Sequence, residues 1–199
     1  LLIRPLYAAL GPNASAAVFA TTPKNTRKVV LATNIAETSI TIPGVRYVID
    51  SGLVKEKIFS PLTSIETLQV LPISQSSSLQ RAGRAGREAP GECYRLYTRE
   101  AFQALETMPV AEIHRTELSG AVLQLYAMHL DPFTFDWIDP PNQALLQEAV
   151  LHLAELGAIQ SPKDGIQLTP LGHQLASLPG TPSSARLLFA AAARGPHGA

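Results

Sequence analysis

The sequence has one cysteine, Cys93, and lacks any long hydrophobic run. A single cysteine excludes an intramolecular disulfide and suits a reducing intracellular compartment, and a small buried thiol is its simplest interpretation. The five histidines are scattered, and no Cys/His pair has the spacing of metal ligands, so we predict no metal site. The longest apolar run, residues 187–193, is far shorter than the roughly 20 residues of a transmembrane helix, so we expect no membrane partner.

The sequence also lacks an excess of charge of either sign. Sixteen Lys and Arg residues balance sixteen Asp and Glu residues, so the bulk charge favours neither a nucleic-acid nor a membrane partner. The hydrophobic fraction of 46% is large enough for a real core and argues against disorder. The chain has no initiator methionine and opens on Leu1-Leu2-Ile3, which is typical of a strand or helix already under way. We therefore expect it to be part of a longer protein.

Two hydrophobic patterns divide the chain near Tyr97. Before it, short β-rich runs alternate with polar loops, and residues 29–32 are apolar enough for a parallel strand buried on both faces. Residues 45–50 and 93–97 predict two further strands. Residues 58–73 are rich in Thr, Ser and β-branched side chains, which predicts a β-hairpin projecting from the sheet. This half is therefore expected to be an α/β domain.

Beyond Thr98, a candidate N-cap, the apolar spacing becomes helical. The apolar positions are Leu118, Val122, Leu125 and Met128 in one predicted helix, and Leu146, Ala149, Val150, Leu153 and Leu156 in the next. Asn142 is the expected cap of the second helix and Gly157 its stop. Residues 158–169, with a turn at Lys163-Asp164-Gly165, predict a small hairpin, and helical signals restart after Pro170 and Ser183. Helices followed by such a hairpin indicate a winged-helix module.

The densest chemical signal is the segment Gln80-Arg81-Ala82-Gly83-Arg84-Ala85-Gly86-Arg87. Three arginines at a spacing of three, separated by small residues, place guanidinium groups on one side of a tight turn or first helical turn. A guanidinium stays charged at any working pH and pairs bidentately with phosphate oxygens, so the segment suits a triphosphate. A solvated basic turn or an arginine-glycine RNA-binding tail is the alternative.

A second polar segment, residues 32–42, begins where the first apolar strand ends. Ligands gather beyond the carboxyl ends of strands in open α/β sheets, so a binding loop is expected there. The side chains suited to bind the phosphates of a nucleic-acid backbone are Thr33, Asn34, Thr38 and Ser39. Glu37 is suited to orient a neighbouring side chain. The alternative is an ordinary Thr/Ser-rich loop with a capped helix.

Together the two segments resemble motifs five and six of the DEAH-box helicases, a superfamily-two group of RNA-dependent ATPases. Further matches cover nearly the whole chain: Pro5-Leu6-Tyr7-Ala8-Ala9-Leu10, Val18-Phe19, Arg27-Lys28-Val29-Val30, Val48-Ile49-Asp50-Ser51-Gly52, Arg95-Leu96-Tyr97, Glu112-Ile113-His114-Arg115, Asp139-Pro140-Pro141 and Leu168-Thr169-Pro170-Leu171-Gly172. The resemblance implies an α/β fold, with a RecA-like parallel sheet that has helices on both faces. A mostly helical winged-helix domain and the start of a helical bundle would follow. The implied domains are residues 1–98, 99–169 and 170–199, the first incomplete and the last truncated.

The resemblance also implies roles for individual residues. Gln80, Arg84 and Arg87 match the positions that face the γ-phosphate of ATP, and Arg84 and Arg87 are the expected arginine fingers. Phe19 matches an aromatic side chain that stacks on adenine, although a core phenylalanine is the alternative. Arg81 matches a motif position whose role is less directly catalytic.

Other positions match the family's RNA contacts. Thr33 and Asn34 match residues that bind the RNA backbone, and Thr38 is assigned to the same group. Ser39 lies where the family couples RNA binding to the nucleotide and is counted with the ATP-binding residues. The hairpin at residues 58–73 matches the family's strand-separating hairpin, without an obvious aromatic wedge.

The sequence contains neither a Gly-x-x-x-x-Gly-Lys-Ser/Thr phosphate loop nor an Asp-Glu-Ala-His sequence. In the family these parts lie upstream on a first motor domain, which also holds the Mg²⁺ ligands, so the implied cofactors are ATP and Mg²⁺. This segment alone is not expected to hydrolyse ATP. The implied function is that of the C-terminal motor half of an ATP-dependent RNA helicase, which couples hydrolysis to RNA translocation, unwinding or ribonucleoprotein remodelling.

The implied partners are single-stranded RNA, bound with little sequence preference, and an activator protein or ribonucleoprotein complex. The implied location is intracellular, with the nucleus preferred to the cytoplasm. A catalytically inactive helicase-like scaffold that binds RNA or protein is the main alternative. A stand-alone winged-helix binder is disfavoured, because the predicted helix at residues 117–128 has no lysine or arginine.

Overall fold

The computed structural model describes residues 1–38, 40–160 and 165–195. They form two compact units, each built from two stretches of chain. The first unit comprises Leu1–Glu56 and Gln69–Pro109, and the second comprises Lys57–Leu68 and Val110–Ala199. These two units are defined by contacts within the folded chain. The three domains implied by the sequence, at residues 1–98, 99–169 and 170–199, stay a prediction.

The first unit contains most of the strands, and the second contains a small hairpin. The strands are β1 (Leu2–Leu6), β2 (Lys28–Ala32), β3 (Tyr47–Asp50), β4 (Leu53–Ser60), β5 (Ile65–Pro72), β6 (Glu92–Arg95), β7 (Ile159–Gln160) and β8 (Gln167–Leu168). Strand β1 pairs with β2, and β3 pairs with β6; both pairs are parallel. The predicted strands and their parallel arrangement are therefore confirmed.

Helices connect strands of the first unit and are the main regular elements of the second. The α-helices in the described ranges are α1 (Pro12–Phe19), α2 (Gln75–Ala82), α3 (Arg99–Gln103), α4 (Ser119–Ala127), α5 (Gln143–Glu155), α6 (Pro170–Ser177) and α7 (Pro182–Arg194). Short 3₁₀ helices span Asn34–Ala36 and Glu112–His114. The α/β character of the first unit and the helical character of the second agree with the sequence pattern.

The prediction that β2 is buried on both faces is wrong for this chain. Leu31 of β2 is 61% exposed, and Ile49 of β3 is 71% exposed. Side chains alternate between the two faces of a strand, so a strand is buried on both faces only where elements cover both. Among the described residues, α1 packs against β1 and α2 against β3, while Leu31 and Ile49 remain in contact with solvent.

The predicted hairpin is confirmed, but it starts earlier and its distal part does not simply project from a sheet. Strands β4 and β5 pair with each other, and the distal residues Lys57–Leu68 belong to the second unit. Phe59 is only 8% exposed and joins the core of that unit. Its backbone N–H donates to the carbonyl of Arg115 (2.8 Å), and the Arg115 guanidinium donates to the carbonyl of Lys57 (3.2 Å).

Side-chain caps set the helix ends where the sequence predicts them. Thr98 Oγ1 accepts from Ala101 N (3.1 Å) at the start of α3, and Asn142 Oδ1 accepts from Ala144 N (2.9 Å) at the start of α5. After α5, Gly157 adopts a φ of 71°, a left-handed conformation that glycine enters without strain. These two caps and the stop at Gly157 are confirmed.

The core of the second unit lies between α4, α5 and α6. Its most deeply buried side chains include Val122, Leu123, Leu153 and Leu175, each at most 2% exposed, and each contributes about 1.5–3 kcal/mol through burial. Met128, predicted on the same face, is 59% exposed. Helix α4 ends at Ala127, and the next residues leave the helical path, with His129 at a φ of 60°. The prediction for Met128 is therefore wrong.

The small hairpin of the second unit is confirmed by the antiparallel pairing of β7 and β8. Of the predicted turn, Lys163 and Asp164 lie outside the described residues, and Gly165 has a φ of 114°. Helices α6 and α7 then begin at Pro170 and Pro182, capped by Thr169 and Thr181.

Candidate functional site

The loop after β2 presents polar side chains to solvent. Its start is fixed where the β1–β2 pairing ends, since Thr33 N donates to the carbonyl of Leu6 (3.1 Å). The chain then enters the short 3₁₀ helix Asn34–Ala36, and Thr33, Asn34 and Thr38 are exposed. The structure thus brings these three predicted RNA-binding residues onto one surface loop. Ser39, predicted to contact the nucleotide, lies outside the described residues.

The arginine segment lies at the C-terminal end of α2 and in the turns that follow. Ser74 caps the start of α2 by accepting from Ser77 N (3.1 Å). Arg81 occupies the last turn of the helix, and Arg84 N donates back to the carbonyl of Arg81 (3.1 Å) in a tight turn. Arg84 therefore lies on a tight turn, as one of the two predicted arrangements requires, and not on the first turn of a helix.

All three guanidinium groups reach the loop that follows β2. The hydrogen bonds run from Arg81 Nε to Glu37 Oε2 (2.9 Å), from Arg84 Nη1 to Ile40 O (3.0 Å), from Arg84 Nη2 to Glu37 O, and from Arg87 Nη1 to Thr41 Oγ1 (2.6 Å). The two segments singled out in the sequence therefore form one continuous site within the first unit. Glu37, expected to orient a neighbour, forms an ion pair with Arg81.

The three arginines differ in how firmly they are held. Arg81 is largely covered, with 15% of its side chain exposed. Arg84 is half-buried and donates to two backbone carbonyls, whereas Arg87 is exposed and donates to one hydroxyl. Exposure increases from Arg81 at the end of the helix to Arg87 in the turns that follow, so Arg87 is the most accessible of the three to a ligand.

Burial and neighbouring charges shift the arginine pKa values in opposite directions. Burial lowers the pKa of Arg81, but its hydrogen bonds to the carboxylates of Glu37 and Asp50, with the negative charges of both, outweigh that effect and raise the pKa above its ordinary value. For Arg84, burial and then the positive charge of Arg87 lower the pKa. A guanidinium nevertheless remains charged at neutral pH, so Arg84 and Arg87 form a pair of neighbouring cations.

A buried carboxylate, which the sequence reasoning missed as a functional residue, lies behind the arginine segment. Asp50 at the end of β3 is 2% exposed and accepts from Arg81 Nη1 (2.9 Å) and from the hydroxyl of Tyr97 (2.8 Å). The sequence offered one signal for this residue, since Asp50 is an acidic side chain at the end of an apolar strand. A carboxylate buried at such a position requires hydrogen-bonding or charged partners.

The two remaining predicted ATP-binding residues stand apart from this network. Phe19 ends α1 and is 39% exposed, which excludes the alternative that it is a core phenylalanine. Lys28 Nζ donates to the carbonyls of Val18 (2.8 Å) and Ala20 (2.9 Å), and so fixes the end of α1. Gln80 is exposed on α2. Among the described residues, neither Phe19 nor Gln80 shares a hydrogen bond with the arginines.

No group of three or more His, Cys, Asp or Glu side chains in the described ranges is placed to hold a metal ion. The helices of the same ranges also include none that is both long and apolar enough to cross a membrane.

Two protein families match the chain in sequence. The helicase conserved C-terminal domain matches residues 2–89, and the winged-helix helicase associated domain (HA2) matches residues 149–179. The chain is 43% identical over 190 residues to the mouse ATP-dependent RNA helicase DHX33, covering 95% of this chain and 27% of that protein. It is 45% identical over 192 residues to the Arabidopsis thaliana pre-mRNA-splicing factor ATP-dependent RNA helicase DEAH10, covering 96% of this chain and 26% of the relative.

Solved structures show the same likeness. The Escherichia coli DEAH/RHA helicase HrpB matches with a TM-score of 0.85 and 37% identity, over 94% of this chain and 24% of that one. The chain thus spans about a quarter of the length of the proteins it matches. The match confirms the predicted fold, a RecA-like α/β unit followed by a winged-helix region. Both family matches, the relatives and the joined arginine and loop segments agree, and the chain belongs to the DEAH-box family of RNA helicases.

Proposed function

We propose that this chain is the second half of the motor of an active ATP-dependent RNA helicase, organised as domains at residues 1–98, 99–169 and 170–199. The protein that contains it would couple ATP hydrolysis to RNA translocation, unwinding or ribonucleoprotein remodelling. The observation that carries the proposal is the contact of all three arginines with the loop that bears Thr33 and Asn34. A nucleotide site and an RNA site that share one loop cannot move independently.

The side chains present suit the phosphates of ATP. Burial lowers the pKa of Arg84, and Arg87 is close enough for its positive charge to lower that pKa further. A polyphosphate anion relieves that repulsion. Arg87 donates only to the neutral hydroxyl of Thr41, and a phosphate oxygen is a stronger acceptor because the hydrogen bond is then between two charged groups. Gln80 is exposed on the helix that leads to these arginines.

We assign the remaining nucleotide contacts by the same reasoning. Phe19 presents part of its ring to solvent at a fixed helix end, where it is suited to stack on adenine. Ser39 is proposed as a further contact on the loop. In the family the Mg²⁺ ligands and the phosphate loop belong to the first motor domain, so that domain would hold Mg²⁺, and this chain would contribute its arginines to the phosphates of ATP.

The chemistry assigned to this chain is electrostatic. Arg84 and Arg87 act as arginine fingers by stabilising the negative charge that develops on the phosphoryl oxygens, an effect worth roughly 10³–10⁵ in rate in enzymes that use one. Arg84 is held by two backbone carbonyls and serves as the fixed finger. Arg87 is exposed and serves as the mobile one. Neither residue transfers a proton, because guanidinium stays charged.

Thr33, Asn34 and Thr38 are proposed to bind RNA. Their exposed hydroxyl and amide groups recognise phosphate and sugar, which are the same for every base, so binding is largely independent of sequence. When RNA moves this loop, the carbonyl acceptors of Arg84 move with it. RNA binding therefore changes the position of a catalytic arginine, which accounts for stimulation of hydrolysis by RNA.

The test is RNA-stimulated ATP hydrolysis by the natural protein that contains this chain, beside its Arg87→Ala variant. We expect the variant to lose most turnover and still bind ATP, because an arginine finger acts chiefly on the transition state. Arg99→Ala removes an exposed arginine of α3 in the same unit and should leave turnover unchanged. A folded protein that binds RNA but shows no RNA-stimulated hydrolysis would instead be an inactive scaffold.

A further inference from the structure

A buried polar network lies behind the arginine site and includes none of the proposed ligand contacts. Its centre is Asp50, whose side chain is fully buried. The carboxylate accepts from Arg81 Nη1 (2.9 Å), from the hydroxyl of Tyr97 (2.8 Å) and from the backbone N–H of Gly52 (3.0 Å). Every one of these donors is within normal hydrogen-bond distance, so the charge of Asp50 is compensated inside the protein.

Tyr97 is held in place from two sides. Its hydroxyl lies 2.7 Å from Oγ of Ser78, a fully buried residue of α2. Because the Tyr97 proton is donated to Asp50, the Ser78 hydroxyl is the donor in this second bond. The tyrosine ring lies against Gly52, where a Cβ would come within 2.6 Å of Tyr97 Cδ1. Donation therefore runs from Ser78 to Tyr97 and on to Asp50.

Arg81 joins this buried network to the surface loop. Its Nη1 binds Asp50 and its Nε binds Glu37 Oε2 (2.9 Å), so two edges of the planar guanidinium are fixed by carboxylates. A buried ion pair of this kind contributes little net stability, because desolvation of the charges offsets their attraction. The two directional hydrogen bonds on the planar guanidinium do, however, fix the positions of Arg81 and Glu37.

We propose that Ser78, Tyr97 and Asp50 are positioning residues for RNA-stimulated hydrolysis: they fix Arg81, and Arg81 fixes Glu37 and the loop that carries the RNA contacts. The inference rests on the proposed function and gives Arg81 a role that its place in the motif leaves open. Asp50 and Ser78 are buried, and Tyr97 is half-buried with its hydroxyl bonded to both of them. Their effect reaches Arg84 through Glu37, which accepts from Arg81 with its carboxylate and from Arg84 with its carbonyl.

A double-mutant cycle in the natural protein tests the proposal. Tyr97→Phe removes one hydroxyl and keeps the ring against Gly52, and we expect it to lower the RNA-stimulated kcat about tenfold, the loss of one hydrogen bond to a charged group. The KM for ATP should change less than twofold. Tyr94→Phe is the matched control, since Tyr94 is 52% exposed and its hydroxyl donates to the surface carboxylate of Glu92. It should leave kcat unchanged.

The second mutation of the cycle is Arg81→Gln. If Tyr97 acts through Arg81, Tyr97→Phe has no further effect on kcat in the Arg81→Gln background. If the two effects multiply, or if Tyr97→Phe leaves kcat unchanged in the wild-type background, the proposal is wrong. Should Arg81→Gln fail to fold, Arg81→Lys takes its place, because lysine keeps the charge but cannot bind both carboxylates in one plane.

Amide hydrogen exchange in the same samples separates this proposal from the proposed function. We expect Tyr97→Phe, but not Tyr94→Phe, to accelerate exchange across residues 33–41, and to add nothing in the Arg81→Gln background. A wild-type protein without RNA-stimulated hydrolysis that still shows this exchange pattern would refute the motor, and with it the link to hydrolysis, but would support the positioning of Arg81 and of the loop. Active protein with unchanged exchange in Tyr97→Phe would refute the positioning and leave the motor.

Discussion

Arg84 and Arg87 lie three residues apart, yet their surroundings predict different consequences for the same substitution. Arg84 is half-buried and donates to the carbonyls of Ile40 and Glu37, whereas Arg87 is exposed and donates to the Thr41 hydroxyl. Arg84→Ala should therefore lower both turnover and stability. Arg87→Ala should lower turnover alone, because an exposed side chain with one neutral partner adds little to folding.

The expected loss of stability follows from the two carbonyls that Arg84→Ala leaves without a donor. A hydrogen bond from a charged group contributes about 1.5–3 kcal/mol, so two such bonds contribute about 3 kcal/mol at the low end. Arg84 is only partly covered, and solvent screening reduces that figure to about 2 kcal/mol. Arg84→Lys should recover part of this loss, since an ammonium group can reach one of the carbonyls but does not reproduce the planar fork.

Urea unfolding followed by circular dichroism, with RNA-stimulated ATP hydrolysis on the same preparations, measures both effects. The free energy of unfolding should fall by about 2 kcal/mol for Arg84→Ala and remain at the wild-type value for Arg87→Ala. Turnover should fall at least a hundredfold in both, by roughly the contribution of one preorganised donor. Equal stability losses in the two variants would refute the reasoning from burial. A wild-type kcat for Arg87→Ala would refute its assignment as a finger.

Three further predictions concern single positions. Gly52→Ala should lower the free energy of unfolding by at least about 2 kcal/mol in a urea titration, because φ is 73° and the new Cβ would lie 2.6 Å from the Tyr97 ring; unchanged stability would contradict this close approach. Phe59→Ala should lower the free energy of unfolding by about 3 kcal/mol in the same assay, because it leaves a cavity in the core of the second unit. Leu62 is 96% exposed on the same hairpin, so Leu62→Ala should leave the free energy of unfolding almost unchanged. Tyr126 is 8% exposed, and its hydroxyl has no hydrogen-bond partner among the described residues. Burial raises the pKa of Tyr126 to about 12, so the folded state keeps the neutral form and stability falls as the pH rises from the ordinary tyrosine pKa of about 10 through about 12. Tyr126→Phe should remove that part of the alkaline loss of stability. At neutral pH it should raise the free energy of unfolding by about 1 kcal/mol, because it deletes a buried hydroxyl that has no partner among the described residues. A lower urea midpoint for the variant at pH 7 would show that the hydroxyl has a hydrogen-bond partner.

Local signals were sufficient for much of the fold. The caps Thr98 and Asn142 and the stop at Gly157 act within a few residues of themselves, so the sequence predicts them directly. The parallel strands were also predictable from short apolar runs. The burial of those strands was not: Leu31 and Ile49 face solvent, because burial depends on which elements cover a face and not on the strand's own composition.

The hairpin shows the same limit at a larger scale. Its strands were predicted from β-branched residues, but its membership in the second unit depends on Phe59 entering a core built from α4 and α5. No short-range pattern identifies Phe59 as the residue that makes that contact.

By itself, the sequence determined which chemical groups are present and in what local frame: three arginines on a tight turn or a first helical turn, a polar loop after a strand, and the family that this pattern resembles. Only the tertiary structure decided which groups meet. Arg81 pairs with Asp50 across 31 positions and with Glu37 across 44, and no local propensity fixes such partners. A hydrogen bond requires placement within a few tenths of an ångström, and for Arg81 and Asp50 that placement comes from the packing of α2 against β3.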